Sequence, residues 1–342
     1  MGGSGPKQAG GEPLPPTLED VAQLAGVSRA TVSRVVNGAR LVAPATVEQV
    51  RAAIEKLQYQ PNPAARALVT RRTGVIAVVV PEAGERVFAD PFFPQLYRGA
   101  LVGFHDTDLQ VVLVIAEPGD RDERVLRYLG SGHVDGAIVA SHHGPALGRA
   151  LAQMAMPSVF VGDPEIPGLL YADIDQQAAA RRATEFLMSR GARRLGSVTG
   201  PLDMAAAAKR LQGFDAAVRA AGLPADRVES GGFTVEGGLA ATRSLLQRYP
   251  DLDGLFVASD LMATGALQAL REAGRRVPDD VRVVGFDDSA LALQSDPALT
   301  TMTNPASLLA SEAARLLIGL LSGERPGSPV FLTSELVVRD SA

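Results

Sequence analysis

Cysteine is absent from all 342 residues. That excludes a disulfide framework and thiolate metal sites, and the chain is expected in a reducing, cytoplasmic compartment. No apolar run approaches the ~20 residues that span a bilayer, so no membrane partner is expected. Residues 1–16 hold glycines, prolines and one lysine, without the uninterrupted apolar stretch of a secretory signal. They read as a disordered tail. Signatures of catalysis are missing too. No G-x-G-x-x-G follows an apolar run, and neither a nucleophile elbow, a phosphate-binding glycine loop nor a Ser-His-Asp order is evident. His142 and His143 lack matched third and fourth ligands, so no metal and no cofactor are expected, and the chain reads as a non-enzyme.

What is present is the composition of a globular protein, 46% hydrophobic and 21% charged, in a chain long enough for two or three units. The net charge of −5 is unevenly spread. Residues 1–72 carry nine basic groups against five acidic ones, a surplus of four, so the remainder stands at −9. A basic head on an acidic body suggests a local polyanion contact.

From Thr17 the string TLEDVAQLAGVSRATVSRVVNG places Leu18, Val21, Ala22 and Ala25 on one helix face, with Thr17 as cap and Gly26 as stop. Ser28 caps a second helix whose apolar side is Val32, Val35 and Val36, leaving Arg29, Ala30, Ser33 and Arg34 outward. Two short helices around a glycine turn make a helix-turn-helix, whose second helix reads base edges from the major groove. Pro44 then opens a third helix marked by Val47, Val50, Ile54 and Leu57. These spacings alone fit any small helical bundle equally well.

From Gly74 onward, the runs VIAVVV, VVLVIA, DGAIVAS, SVFVG, RLGSVTG, DGLFVAS and VRVVGFDD alternate with helical patterns, which indicates parallel sheets covered on both faces. Ligands of such folds bind beyond the carboxyl ends of the strands. The polar residues there are Asp90 and its neighbours through Phe93, Ser141 with His142, Asp163, Ser259 with Asp260, and Asp287 with Asp288. Asp260 serves equally well as the N-cap of a helix over Leu261 to Ala273.

The strings quoted from Thr17, together with EKLQYQPNPAARALVTRRTGVIAVVVP and ELVVRDS near the end, closely resemble the lactose-repressor (LacI/GalR) family, over Thr17 to Ser341. The resemblance implies an all-α helix-turn-helix head (17–60), a hinge helix and linker (61–73), and a two-lobed α/β body similar to periplasmic binding proteins (74–342). By matching strings, the chain crosses between lobes near Asp173, Met302 and Ser334, giving one lobe of about 74–173 and 303–333 and another of about 174–302 and 334–342. The implied partners are near-palindromic operator DNA, a second copy of the chain and a small-molecule effector, a sugar or sugar derivative. The implied function is a transcriptional repressor whose operator affinity the effector controls.

Carried over by position, the DNA contacts fall on Thr17, Ser28, Arg29, Ala30, Thr31, Ser33, Arg34 and Asn37 in the head, and on Asn62, Ala65 and Leu68 in the hinge. Leu68 matches a leucine that wedges between base pairs in the minor groove. A hinge helix this short is marginal alone and is expected to fold only when docked. The effector set is Phe92, Phe93, Ser141, Asp163, Arg210, Ser259, Asp260 and Asp287. Arg210 and Asp287 match effector contacts, although an interlobe salt bridge would also explain Arg210. Phe92 or Phe93 offers an apolar face to a sugar ring or base. Two departures stand out. Ser259 stands where the family usually has Asn, and Ala43 where it often has a capping Ser, the latter a loss of about 1 kcal/mol. A heptad tail that would tie dimers into tetramers is not expected.

Overall fold

The computed structural model describes residues 16–36, 42–60, 72–116, 121–154, 156–325 and 327–342. The chain divides into two compact units, 1–73 and 74–342.

In the first unit, α1 (Leu18–Ala25) opens on a reciprocal capping box. The Asp20 N–H donates to Thr17 Oγ1 at 3.3 Å, and the Thr17 N–H donates to Asp20 Oδ2 at 2.7 Å. Gly26 closes it in the left-handed region at φ 65°, where a side chain would be strained. Helix α2 (Arg29–Val36) begins after Ser28, whose Oγ accepts from the Thr31 N–H at 3.2 Å. Helix α3 (Pro44–Leu57) has proline at its first position, and Ala43 provides no side-chain cap. The core consists of Val21, Ala22, Val32, Val50, Ala53 and Tyr59, with Val35, Val36, Ile54 and Leu57 packed against it. Val47, expected on this face, lies outside the cluster. Gln58, at φ 49°, turns the chain so that the Tyr59 N–H reaches Ile54 O at 3.0 Å and the Tyr59 ring is buried.

The second unit contains, among its described residues, two six-stranded sheets. The first is ordered β11-β5-β4-β3-β1-β2 and is parallel throughout, with β1 (Val75–Val80), β2 (Gln110–Ile115), β3 (Gly136–Ala140), β4 (Ser158–Val161), β5 (Leu170–Ile174) and β11 (Val330–Leu332). Alternate residues of β1 face opposite ways. Ile76, Val78 and Val80 pack beneath α5 (Phe92–Gly103) and α13 (Ala306–Leu321), whereas Ala77 and Val79 pack with Leu129 and Leu151 of α6 (Arg121–Gly130) and α7 (Ala146–Gln153). Gly99 lets α5 touch α13, since a Cβ there would stand 2.0 Å from Ser307 O. A short α4 (Gly84–Ala89) precedes α5.

The second sheet is ordered β12-β10-β9-β8-β6-β7, with β6 (Leu195–Thr199), β7 (Val228–Ser230), β8 (Gly254–Val257), β9 (Arg282–Asp287), β10 (Thr300–Thr303) and β12 (Leu336–Val337). Its strands are parallel except β12, which runs antiparallel to β10. Helices α8 (Gln176–Ser189), α9 (Ala205–Ala220), α10 (Val235–Arg248) and α11 (Asp260–Glu272) cover it around Phe214, Phe256 and Phe286, and α12 (Ala290–Gln294) follows β9. The chain passes between the sheets after β5, after β10 and between β11 and β12. These passages are stitched together. Ser334 Oγ donates to Thr303 O at 2.7 Å, the Glu335 N–H donates to Thr303 Oγ1 at 2.8 Å, and Arg182 Nη2 of α8 donates to Ser334 O at 2.5 Å. No helix among the described residues is long and apolar enough to cross a membrane.

Candidate functional site

On α2, the side chains of Arg29, Ala30 and Arg34 are exposed, while Thr31 and Ser33 are half-buried. Arg29 Nε sits 2.8 Å from Glu19 Oε1 on α1, and both groups are largely in solvent. Such a pair is worth little and leaves the guanidinium available to a polyanion. Thr17 and Ser28 carry the caps, and Ser28 Oγ also lies 2.9 Å from Thr31 Oγ1. Asn37, Asn62, Ala65 and Leu68, and with them the expected hinge helix, lie outside the described residues.

In the body, a cleft lined by residues of both lobes opens between the carboxyl ends of the two sheets, the place where ligands of such folds bind. At its floor, Arg210 of α9 is 4% exposed. Its Nε donates to Gln176 Oε1 at 2.8 Å and its Nη1 to Ala258 O at 2.6 Å, and the guanidinium lies 3.7 Å above the Phe286 ring centroid. Asp287 Oδ1 is 3.7 Å from Nη1 and accepts from Asn304 Nδ2 at 3.0 Å. Asp287 holds φ at 114°, a costly conformation for a residue with a side chain, and it ends β9 with its carboxyl turned to the cleft lining. Burial pushes this carboxyl up to about 6, against the pull of Arg210, with Asp90 adding to the rise. Burial likewise lowers the Arg210 pKa, opposed first by Asp287.

Gln176 relays the arginine into the first passage between lobes. Its Nε2 donates to Asp173 Oδ1 at 2.7 Å, and Asp173 Oδ2 accepts from the Asp163 N–H at 3.1 Å. Burial raises the Asp173 and Asp90 carboxyls above the usual range. Asp163, from the first lobe, meets Lys209 of α9 at 2.6 Å. Burial raises Asp163 most, but the hydrogen bonds from Lys209 and the Glu165 N–H, with the charge of Lys209, together outweigh it and the carboxyl is lowered. Across the mouth, His143 joins the lobes a second time, with Nε2 2.9 Å from Glu82 and Nδ1 2.9 Å from Asp203. Glu82 also accepts from Ser141 Oγ at 2.8 Å and pairs with Arg86, whose guanidinium lies 5.1 Å from the Phe233 ring centroid of the second lobe.

Of the residues expected to meet an effector, Phe92, Ser141, Asp163, Arg210, Ser259 and Asp287 line this cleft. Two do not. Phe93 is 3% exposed and sits edge-on to Phe92 inside the core of the first lobe. Adjacent helical residues point about 100° apart, so α5 presents one phenylalanine and buries the next. Asp260 is 1% exposed behind the cleft, where its carboxyl accepts from Thr301 Oγ1 at 2.6 Å and the Ser289 N–H at 2.7 Å. Burial, reinforced by Asp287, pushes it up to about 8. The N-cap role belongs to Ser259, whose Oγ accepts from the Met262 N–H at 3.2 Å. Sequence reasoning missed the lining residues Arg86, Gln176, Phe233 and Asn304. Asn304 and Gln176 adjoin the passages between lobes, and that proximity was the one available signal.

Residues 17–62 match the family model described as bacterial regulatory proteins, lacI family, and residues 184–342 match a periplasmic binding protein-like domain. The chain is 46% identical over 334 residues to the HTH-type transcriptional regulator CelR of Thermobifida fusca, covering 95% of this chain and 98% of that one. A solved transcriptional regulator CelR-cellobiose complex superposes with a TM-score of 0.76 at 43% identity, covering 96% of this chain and 100% of that one. The lac repressor dimer bound to operator and the anti-inducer ONPF superposes with a TM-score of 0.85 at 27% identity, covering 96% and 99%.

Proposed function

The chain belongs to the lacI family of bacterial regulatory proteins, and from that premise we propose that it is a cytoplasmic, non-catalytic regulator whose effector is an uncharged oligosaccharide of the cellobiose kind. Its head is a helix-turn-helix that binds operator DNA, and its body is a two-lobed sensor through which a sugar controls operator affinity. Two copies form the dimer that presents paired heads to a near-palindromic site.

The oligosaccharide reading rests on the charges of the cleft. Asp90, Asp163, Asp173 and Asp287 line it against Arg86 and Arg210, and Lys209 behind the lining pairs with Asp163. A phosphate ester would enter a surplus of like charge, whereas sugar hydroxyls donate to carboxyls and accept from guanidinium groups. Phe92 and Phe233 add apolar ring faces. The similarity to a regulator solved with cellobiose supports the same ligand class. Calorimetric titration of the whole protein is expected to give saturable binding of cellobiose, with glucose 6-phosphate and cytidine inert. Cellobiose should also change operator retardation and be recovered uncleaved. Tighter binding of either control would replace this reading.

Sequence discrimination is assigned to Arg29 and Arg34, which project from exposed positions of α2. Changing either to alanine is expected to relax operator preference by about 1–3 kcal/mol, the worth of a bidentate arginine on a base. Competition retardation at fixed salt measures this. Unchanged preference in both variants would remove these arginines from base reading.

A further inference from the structure

Three lining residues of the cleft carry buried polar atoms with no hydrogen-bond partner: Arg86 Nε, His142 Nδ1 and Asn304 Oδ1. Their hydrogen-bonding sense is fixed by what surrounds them. Asn304 Nδ2 donates to Asp287, so Oδ1 can only accept. Arg86 Nε can only donate. His142 is 8% exposed, and its Nε2 stands 3.1 Å from the backbone carbonyl of Asp163, which can only accept. Nε2 therefore holds the proton. The ring sits edge-on to Phe160 at 5.4 Å. Burial lowers its pKa, against Asp163 and with help from His143 and Lys209, so the ring is neutral and Nδ1 is a bare lone pair.

We propose that His142 is a specificity-determining residue that accepts a hydrogen bond from a ligand hydroxyl through Nδ1, so that the cleft selects uncharged polyhydroxy ligands. Asn304 Oδ1 makes the same demand from the second passage between the lobes, and Arg86 Nε requires an acceptor. A sugar satisfies all three, because each hydroxyl both donates and accepts. A phosphate dianion offers oxygens that only accept, and would set lone pairs against the lone pairs of His142 and Asn304. The neighbouring His143 is in the opposite state. Both of its nitrogens face carboxylates, so it is of no use as an acceptor. The inference rests on the oligosaccharide reading and deepens it by naming the residue that makes the selection.

The test is calorimetry of the whole protein with cellobiose. His142→Phe keeps the edge-on packing against Phe160 and removes the acceptor, and it is expected to weaken binding on the order of tenfold or more. His142→Asn, which can place an amide oxygen near the position of Nδ1, is expected to stay within a few-fold of wild type. Wild-type protein labelled with 15N-histidine gives a second readout that needs no variant. The His142 Nδ1 resonance should be that of an unprotonated nitrogen and should shift on adding cellobiose. Wild-type protein that binds no cellobiose would sink the oligosaccharide reading. Wild-type affinity in His142→Phe, equal losses in Phe and Asn, or an unmoved Nδ1 resonance would sink this inference alone.

Discussion

Arg210→Ala is expected to yield a protein that holds its operator normally and no longer responds to sugar. The guanidinium is buried, donates to Gln176 and Ala258, stacks on Phe286 and stands beside Asp287. Removing it strips the cleft of its central donor and leaves the Asp287 carboxyl without its cation. Burial already raises that carboxyl against the pull of the arginine, and losing the arginine raises it further. Breaking a buried pair typically costs roughly 3–5 kcal/mol, more than two orders of magnitude if expressed in ligand affinity. Arg210→Lys should recover little, because one ammonium cannot reproduce the planar fork that meets Gln176, Ala258 and Asp287 together. The head is a separate compact unit, so affinity for operator without effector should change much less. Calorimetry with cellobiose and retardation without it separate the two effects. Wild-type sugar affinity in Arg210→Ala would remove this arginine from the site.

Sugar affinity is also expected to fall as pH rises above the ordinary histidine value of 6.5 and through the raised value of His143. His143 lies between Glu82 of one lobe and Asp203 of the other, and both bonds are satisfied only by the imidazolium. Its pKa is raised, chiefly by the hydrogen bond to Glu82, opposed by burial and supported by Asp203. A histidine raised by such a bridge contributes fully below its ordinary value of 6.5 and loses that contribution as pH climbs through the raised value. Glu82 stays ionised through this window, because the His143 hydrogen bond, Arg86 and Ser141 outweigh the rise from burial. The bridge ties the two lobes together, and a ligand held between them shares its stability. With charged hydrogen bonds worth about 1.5–3 kcal/mol, the fall should be tenfold or more. His143→Leu should flatten the alkaline limb. An acidic limb should survive in that variant, since protonation of His142 removes its acceptor. A flat alkaline profile in the wild type would show that the bridge does not contribute to binding.

Local chemistry made the head readable. The Thr17 capping box, the left-handed Gly26 and Pro44 at the start of α3 each lie within a few residues of the groups they serve. Buried tyrosine in the head core was not readable, because Tyr59 follows the helix and returns only through the turn at Gln58. The long apolar strands were plain from their β-branched runs. By contrast, β10 is TTMT, whose buried threonines resemble a loop, and β5 carries Tyr171 and Asp173 among its five residues. The strands that reverse or end the sheets, such as β12, have too few residues to show a period. At the cleft, motif position placed Arg210 and Asp287 on the lining. It failed where one step along a helix decides the facing direction, as with Phe92 against Phe93 and Ser259 against Asp260. Arg86, Asn304 and Gln176 become neighbours only after the chain has passed between lobes, and no spacing along the sequence records that.

The stitching of the lobes has a consequence for synthesis. The first lobe needs α13 and β11, and the second is sealed by its last residues: Ser341 is fully buried, accepts from the Val283 and Thr300 N–H groups and donates back to Val283 O. At ribosomal speeds of ~5–20 residues per second, a head complete at residue 60 waits on the order of 15–55 s for Ser341 to emerge. During that interval the nascent chain carries a folded helix-turn-helix and an unfinished sensor. A ribosome that stops short of the final strand would release a polypeptide able to engage DNA through single heads and deaf to sugar. Mutations that truncate the message late are therefore expected to interfere with regulation, which is a different outcome from its simple loss.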